Sequence, residues 1–248
     1  MHTVDYQRIQ LNPGDCLLDL GCGEGRHCLD IPNSTDNLIV GMDLGLADLR
    51  IAAQKAVEYE QFCQDNNLPP TAAPQFVNAN GLTLPFADDS FNVVICSEVL
   101  EHIENYAGLL QEINRVLKPG GQLVVSVPRQ WPERLCWAFS EQYSREPGGH
   151  IRIFNDHQLR REIQSLGFNT EGQHWAHALH SPYWWLKCLL WESPDHPLIK
   201  AYHRLLVWDL MEKPVVTRVL EKLLNPLMGK SVVMYFTNAI TNTNTANQ

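Results

Sequence analysis

The stretch Leu17-Leu18-Asp19-Leu20-Gly21-Cys22-Gly23-Glu24-Gly25-Arg26 decides how the rest of the chain is read. Its apolar run, broken by one acid, reads as a buried parallel strand. Glycine then recurs at every second position, the mark of a turn whose backbone comes close to a ligand. The loop leads into the next helix, so its amides can face a bound molecule. A dinucleotide site would space its glycines as G-x-G-x-x-G. Here the third glycine falls one residue early, at Gly25, and Arg26 stands where that pattern needs glycine. Asp19 and Glu24 would repel a pyrophosphate and suit a ligand that carries positive charge.

Outward from this loop, strand-like runs at 16–20, 38–42, 75–78, 92–96 and 122–127 alternate with helical patterns at 46–66 and 106–117. Further strands are expected at 168–176 and 231–236, and a helix starting at Asn155 or Asp156 and ending at Leu166. The alternation predicts an α/β fold: a Rossmann-like, seven-stranded, mostly parallel sheet with helices on both faces. Residues 130–152 are aromatic and polar without clear periodicity.

Taken in order, these motifs resemble the class I S-adenosylmethionine-dependent methyltransferases, in particular the small-molecule type whose glycine loop reads D-x-G-C-G-x-G. The resemblance covers residues 17–128. S-adenosylmethionine carries a sulfonium and an ammonium and no phosphate, which suits the acids of the loop. The resemblance implies that Asp19, Gly21, Cys22, Gly23 and Gly25 hold the methionine end of the cofactor. Asp43, followed by Leu44, ends the second strand about twenty residues past the loop, where an acid reaches ribose hydroxyls in nucleotide-binding α/β folds. Asn80-Gly81-Leu82-Thr83-Leu84-Pro85-Phe86 resembles the family's D-A-x-x-L-P-F segment, with Asn80 in place of the acid that accepts from adenine. An amide oxygen can still accept that bond, and an ordinary Asn-Gly turn is the competing reading. Ser97 and Glu98 fall where the family passes beside the sulfonium and the substrate. Glu101 and His102 follow, and either could be an ordinary first-turn residue.

The chain has 248 residues, enough for a substantial core in one domain. Its 19 basic and 28 acidic residues give a net charge of −9, which argues against a nucleic-acid partner. The 7 cysteines show no metal spacing. No secretory signal and no transmembrane segment are evident, so a reducing, cytoplasmic setting is expected. Among 10 histidines, His102, His150 and His180 are candidates for a catalytic base. His174, His177 and His180 recur every third residue, but His174 falls in an expected strand, which would scatter them; no metal site is expected. Between the last two strands lie about fifty residues, far more than a usual connection. Their apolar positions share helical faces, so 181–229 is expected to form helices capping the site, with Tyr183-Trp184-Trp185 facing the acceptor. The first strand starts at Cys16, leaving little room for the N-terminal lid of many relatives. The tail 239–248 is expected to be disordered. The function expected is methyl transfer to a small or medium, fairly apolar molecule, with a homodimer allowed. The alternative is a non-catalytic, cofactor-binding partner subunit with the same fold.

Overall fold

The structure, a computed structural model, describes residues 3–212 and 214–239. All of the tail expected to be disordered, except Ala239, lies outside the described residues. The seven strands are β1 (Cys16–Leu20), β2 (Leu38–Asp43), β3 (Gln75–Asn78), β4 (Phe91–Ser97), β5 (Leu117–Pro128), β6 (Phe168–Ala176) and β7 (Ser231–Asn238). They lie in the order β3-β2-β1-β4-β5-β7-β6. The first five pair in parallel, and β7 runs antiparallel to both its neighbours. The order reverses between β1 and β4. In such sheets a crevice opens at the carboxyl ends of the strands at that reversal.

Side-chain alternation along β1 sorts the core into two layers. Leu18 and Leu20 face α3 (Tyr106–Val116) and α6 (Asp156–Ser165), which contribute Leu109, Ile113, Leu159 and Ile163. Leu17 faces α1 (Arg26–Asp30) and α2 (Leu46–Asp65), which contribute Cys28 and Leu49. Helices therefore cover both faces, as the pattern of the chain predicts.

Two stretches differ from their sequence reading. Lys118-Pro119-Gly120-Gly121 ends α3 as expected, but β5 begins directly at Leu117 and crosses this tetrapeptide with a register shift against β4 between Phe91 and Val93. Gly120 takes a φ of 77°, and a Cβ on Gly121 would lie 2.9 Å from the carbonyl oxygens of Asn92 and Lys118. Residues 130–152, without evident periodicity, hold α4 (Gln130–Phe139) and α5 (Glu141–Ser144). Pro132 sits in the first turn of α4, where its missing N–H costs nothing. Ser140 caps α5 by accepting from the Tyr143 N–H.

The insertion contains α7 (His180–Leu189), α8 (Pro197–Glu212) and α9 (Val215–Met228). It leaves from the end of β6 and returns at Ser231, which pairs with Pro128 at the end of β5. It is thus rooted at the carboxyl side of the sheet. α7 packs on α4, with Trp185 Nε1 donating to Pro132 O at 3.1 Å. α9 packs on β6 with its polar side inward: Thr217 is buried, and Asn225 Oδ1 accepts from the Ala178 N–H. Its apolar stripe, Val216, Val219, Leu220, Leu223 and Leu227, faces outward, with Leu223 64% exposed. The shared helical face is as expected. Its direction is opposite to the expected packing within a cap.

Asp19 is 1% exposed inside β1 and accepts from Cys28 Sγ at 3.3 Å. Burial pushes its carboxyl up to about 7, only partly offset by Cys28 and Arg26. The folded chain then keeps a proton that the unfolded chain releases between about pH 4 and 7, so stability falls as pH rises through that window. Asp19→Asn removes this slope. In thermal or denaturant melts its stability relative to wild type should grow from pH 4 to pH 7, by an amount on the order of a few kcal/mol. A difference that stays constant with pH contradicts the assignment.

Candidate active site

The glycine loop is held by its own hydrogen bonds. Gly21, Gly23 and Gly25 take φ of 72°, 51° and 81°, which only glycine adopts without strain. A Cβ on Gly21 would stand 2.3 Å from Val99 Cγ2. The N–H groups of Gly21 and Cys22 donate to Met42 O at 2.7 and 3.1 Å. Gly23 N–H donates to Asp43 Oδ2 at 2.8 Å, and Gly25 N–H to Cys22 O at 2.9 Å. Four amides of the loop, those of Gly21, Cys22, Gly23 and Gly25, are thus committed within the protein.

In front of the loop, at the carboxyl ends of β1, β2 and β4, lies a cavity of about 560 Å³. Gly21, Asp43, Leu44, Asn80 and Gly81 border it on one side, Glu98 and His102 on the other. Asp43, Glu98 and Glu104 line it, and neither lysine nor arginine does. This lining attracts a cationic ligand and repels a phosphate. Cys22, Gly23 and Gly25 shape the loop without bordering the cavity. Asp19 faces Cys28 on the α1 side of the sheet, away from the cavity. Ser97 is buried, with its Oγ 2.9 Å from Ser126 Oγ. Asn80 makes the Asn-Gly turn as well as bordering the cavity: its Oδ1 accepts from Leu82 N–H at 2.9 Å.

Glu98 and His102 lead from the cavity wall into a cluster of acids and histidines, whose Glu101, Glu133 and His150 lie behind that wall. Glu98 has a φ of 57° and is fixed twice by Ser126, through its N–H to Ser126 O at 3.0 Å and its Oε1 accepting from Ser126 Oγ at 2.8 Å. The rings of His102 and His150 lie 5.1 Å apart. His102 Nδ1 meets Gly149 O at 3.1 Å, and His150 Nδ1 meets Glu133 Oε1 at 2.7 Å. Ile151 N–H donates to Glu101 O at 3.0 Å and ties the 148–151 segment to the turn after β4. Glu101 is wholly buried, and neither of its carboxylate oxygens has a hydrogen-bond partner. Burial, reinforced by Glu98, holds its carboxyl well above the usual range. Burial would raise Glu133 as well, but the bond from His150 brings it below the usual range.

The structure thus joins His102 and His150, and His180 stands elsewhere. His180 starts α7 beside His177 and Glu221, where burial lowers its imidazole to about 4. His174 lies in β6, stacked on Tyr235. The insertion does not line the cavity. Its aromatic residues reach the site indirectly, through Tyr143, whose ring lies 6.3 Å from His150 and 5.9 Å from Trp184. Glu133 and Ser126 escaped the sequence reading. Pro132, in the first turn of α4, was the available signal for Glu133; nothing local marks Ser126.

Residues 3–173 match the model of a family described as "Methyltransferase domain". The 27-O-demethylrifamycin SV methyltransferase of Amycolatopsis mediterranei is 25% identical, over 71% of this chain and 62% of its own length. The chain therefore spans a little under two thirds of that relative. A demethylmenaquinone methyltransferase of Corynebacterium kroppenstedtii is 33% identical, over 71% of this chain and 79% of its own. Among solved structures, a SAM-dependent methyltransferase from Methanosarcina mazei superimposes with a TM-score of 0.58 at 16% identity, covering 93% of this chain and 95% of that one. At that identity the likeness shows the fold alone.

Asp43 both steadies the loop and borders the cavity, so Asp43→Ala removes two kinds of support. Charge-assisted hydrogen bonds contribute about 1.5–3 kcal/mol each. Calorimetry with S-adenosylhomocysteine is expected to show at least about a hundredfold weaker binding. Asn80→Asp keeps an acceptor oxygen and is expected to bind within about threefold of wild type, a change below about 1 kcal/mol.

Proposed function

The chain belongs to the methyltransferase domain family, and from that membership we propose that it moves a methyl group from S-adenosylmethionine to a small, largely apolar acceptor held beside Glu98, His102 and His150. The cofactor fits what the residues offer. Gly21 and Gly81 let backbone approach it, Asp43 presents a carboxylate to its hydroxyls, and Glu98 provides negative charge for its cationic end. When bound, it supplies the methyl group on a sulfonium leaving group. The observation that carries this reading is the acid-lined cavity without lysine or arginine, set against a loop with four of its amides already bonded within the protein.

The chain's own part is to place the acceptor and manage its proton. Tyr143, Trp184 and Trp191 form an aromatic set next to His150, with ring separations of 5.9 Å for Tyr143–Trp184 and 6.1 Å for Tyr143–Trp191. Such rings offer contact area to an apolar molecule and a polar edge to its substituents. Glu133 orients His150, and Gly149 orients His102, so the histidine pair faces the acceptor in a fixed pose. The names of the two relatives denote small-molecule acceptors, and the acidic balance of this chain favours the same class over nucleic acid. No helix among the described residues is long and apolar enough to cross a membrane. With 7 free cysteines, a cytoplasmic setting belongs to the same reading.

His150→Ala is the direct test. With labelled cofactor and a panel of hydroxylated aromatic acceptors, kcat is expected to fall about 10²–10⁴-fold. The Kd for S-adenosylhomocysteine should stay unchanged. An equal loss in both would mean that the histidine pair only maintains the fold.

The outward apolar stripe of α9 supports the pairing of two copies through this helix. Sedimentation is expected to give a dimer for wild type and a monomer for Leu223→Glu, with cofactor affinity kept in both. A wild-type monomer at high concentration would remove this part of the reading.

A further inference from the structure

The acid and histidine cluster raises a question of charge. Glu101 is 0% exposed, and both of its oxygens lack a hydrogen bond. Its single ion pair among the described residues is with His102 Nε2, at 3.9 Å. Glu98 and Glu133 crowd the same region. A buried carboxylate without a partner costs several kcal/mol, so such groups are normally paired, bound to a metal or protonated. Hydrogen bonds commit the remote ring nitrogens around it. His102 Nδ1 is bonded to a backbone carbonyl and His150 Nδ1 to a buried carboxylate, which leaves the two Nε2 atoms for a ligand. One donor atom from each of Glu101, His102 and His150 lies within 4.8 Å of the others.

We propose that Glu101, His102 and His150 bind one divalent transition-metal cation beside the cavity, and that this cation takes an oxygen of the acceptor as a further ligand. Two imidazoles and one carboxylate, with positions left open, form a common catalytic donor set. The partners of Nδ1 are those that metal-bound histidines use: a carbonyl for one ring and a carboxylate for the other, each fixing tautomer and orientation. Glu133 and Gly149 are positioning groups here and do not bind the cation. With both Nε2 atoms bound to the cation, the histidines act on the acceptor's proton only through it: a hydroxyl bound to the cation gives its proton to solvent water. The O–H bond breaks, its electron pair stays on the oxygen, and the cation stabilises the resulting anion. The cation site itself rests on the geometry of the cluster; the role of the acceptor oxygen rests on the methyltransferase reading.

A second group, His177, His180 and Glu221, also brings three donors within 4.8 Å. There the Nε2 of His177 is taken up by Thr3 Oγ1 at 3.0 Å, and no carboxylate orients either ring. That group serves as the internal control.

The full chain is stripped with a chelator and titrated with CoCl2, followed by visible d–d absorption, then with ZnCl2 in competition. The expected result is one cobalt per chain, displaced by zinc. Glu101→Gln and His150→Ala should each weaken binding at least about a hundredfold, and Glu133→Gln about 10–100-fold. His180→Ala should bind as wild type. Failure of the wild type to bind one equivalent overturns the site. So does binding that persists in both Glu101→Gln and His150→Ala, or that is lost in His180→Ala. If Glu101→Gln does not fold, as judged by circular dichroism, His150→Ala and the wild-type stoichiometry decide. Calorimetry with S-adenosylhomocysteine on the same samples separates the two readings. Cofactor binding without cobalt binding refutes only the cation site, and cobalt binding without cofactor binding refutes only the methyltransferase reading.

Discussion

The hydrogen bond from Gly23 N–H to the Asp43 carboxylate, at 2.8 Å, is the constraint on which the cofactor side depends. It bridges the loop after β1 to the end of β2, two neighbouring parallel strands. The other carboxylate oxygen accepts from Gly45 N–H at 2.7 Å and sets the start of α2. One side chain therefore fixes both turns that border the cavity. The geometry works only with glycine at Gly21, since any side chain there would meet Val99. It also sets the charge of the cavity wall. Amides that donate inward to Met42 and Asp43 leave carboxylates rather than N–H groups facing the cavity, so the site is selective by charge before any contact is counted.

The far side is built on an opposite principle. Glu98, Glu101 and Glu133 bring three carboxyl groups together, the last two buried, and Lys230 acts on both of those. Folding does not favour such a group by itself. It is held in place by rigid neighbours: Ser126 fixes Glu98, the hydrogen bond of Ile151 to Glu101 O fixes the turn after β4, and the Glu133–His150 pair links α4 to the loop at 150. A cost accepted at one place and supported by surrounding packing is the usual physical signature of a working site. It is also where a change of ligand or charge would be felt first.

The two sides differ in how far the sequence discloses them. The loop at 19–25, Asp43, and the Asn80-Gly81 turn are local features, each set by neighbours in the chain, and their spacing alone places them at the carboxyl ends of the strands. β1 begins and ends where its apolar run does, and β3 and β6 also keep their expected bounds. The cluster of acids and histidines is assembled from positions 98, 101, 126, 133 and 150, brought together by β5 and by helices that follow it. Nothing in the spacing of these residues encodes that meeting. Glu101 reads in sequence as a solvated first-turn acid, and only the packing of the 148–151 segment over it makes it the most buried carboxylate of the cluster. His180 shows the reverse error: it sits among other histidines in the chain, but β6 and the start of α7 carry it into a separate group.

α9 shows why amphipathic patterns give a helix without giving its orientation. Periodicity groups Val216, Val219, Leu220, Leu223 and Leu227 on one face, and the hydrophobic effect predicts that this face turns inward. The helix instead buries Thr217 and turns the half-buried Asn225 inward, because the buried Ala178 N–H needs an acceptor and Asn225 Oδ1 supplies it at 2.9 Å. Ser181 Oγ makes a matching bond to Met228 O at 2.7 Å. Two polar anchors thus fix the rotation of the helix about its axis. A buried N–H left unbonded would cost about 1–3 kcal/mol, comparable to the gain from burying one large aliphatic side chain. α9 supplies the acceptors for both of these donors, whereas its apolar stripe can be satisfied by another surface. The insertion is therefore anchored through its polar side, and its apolar side remains available for contact.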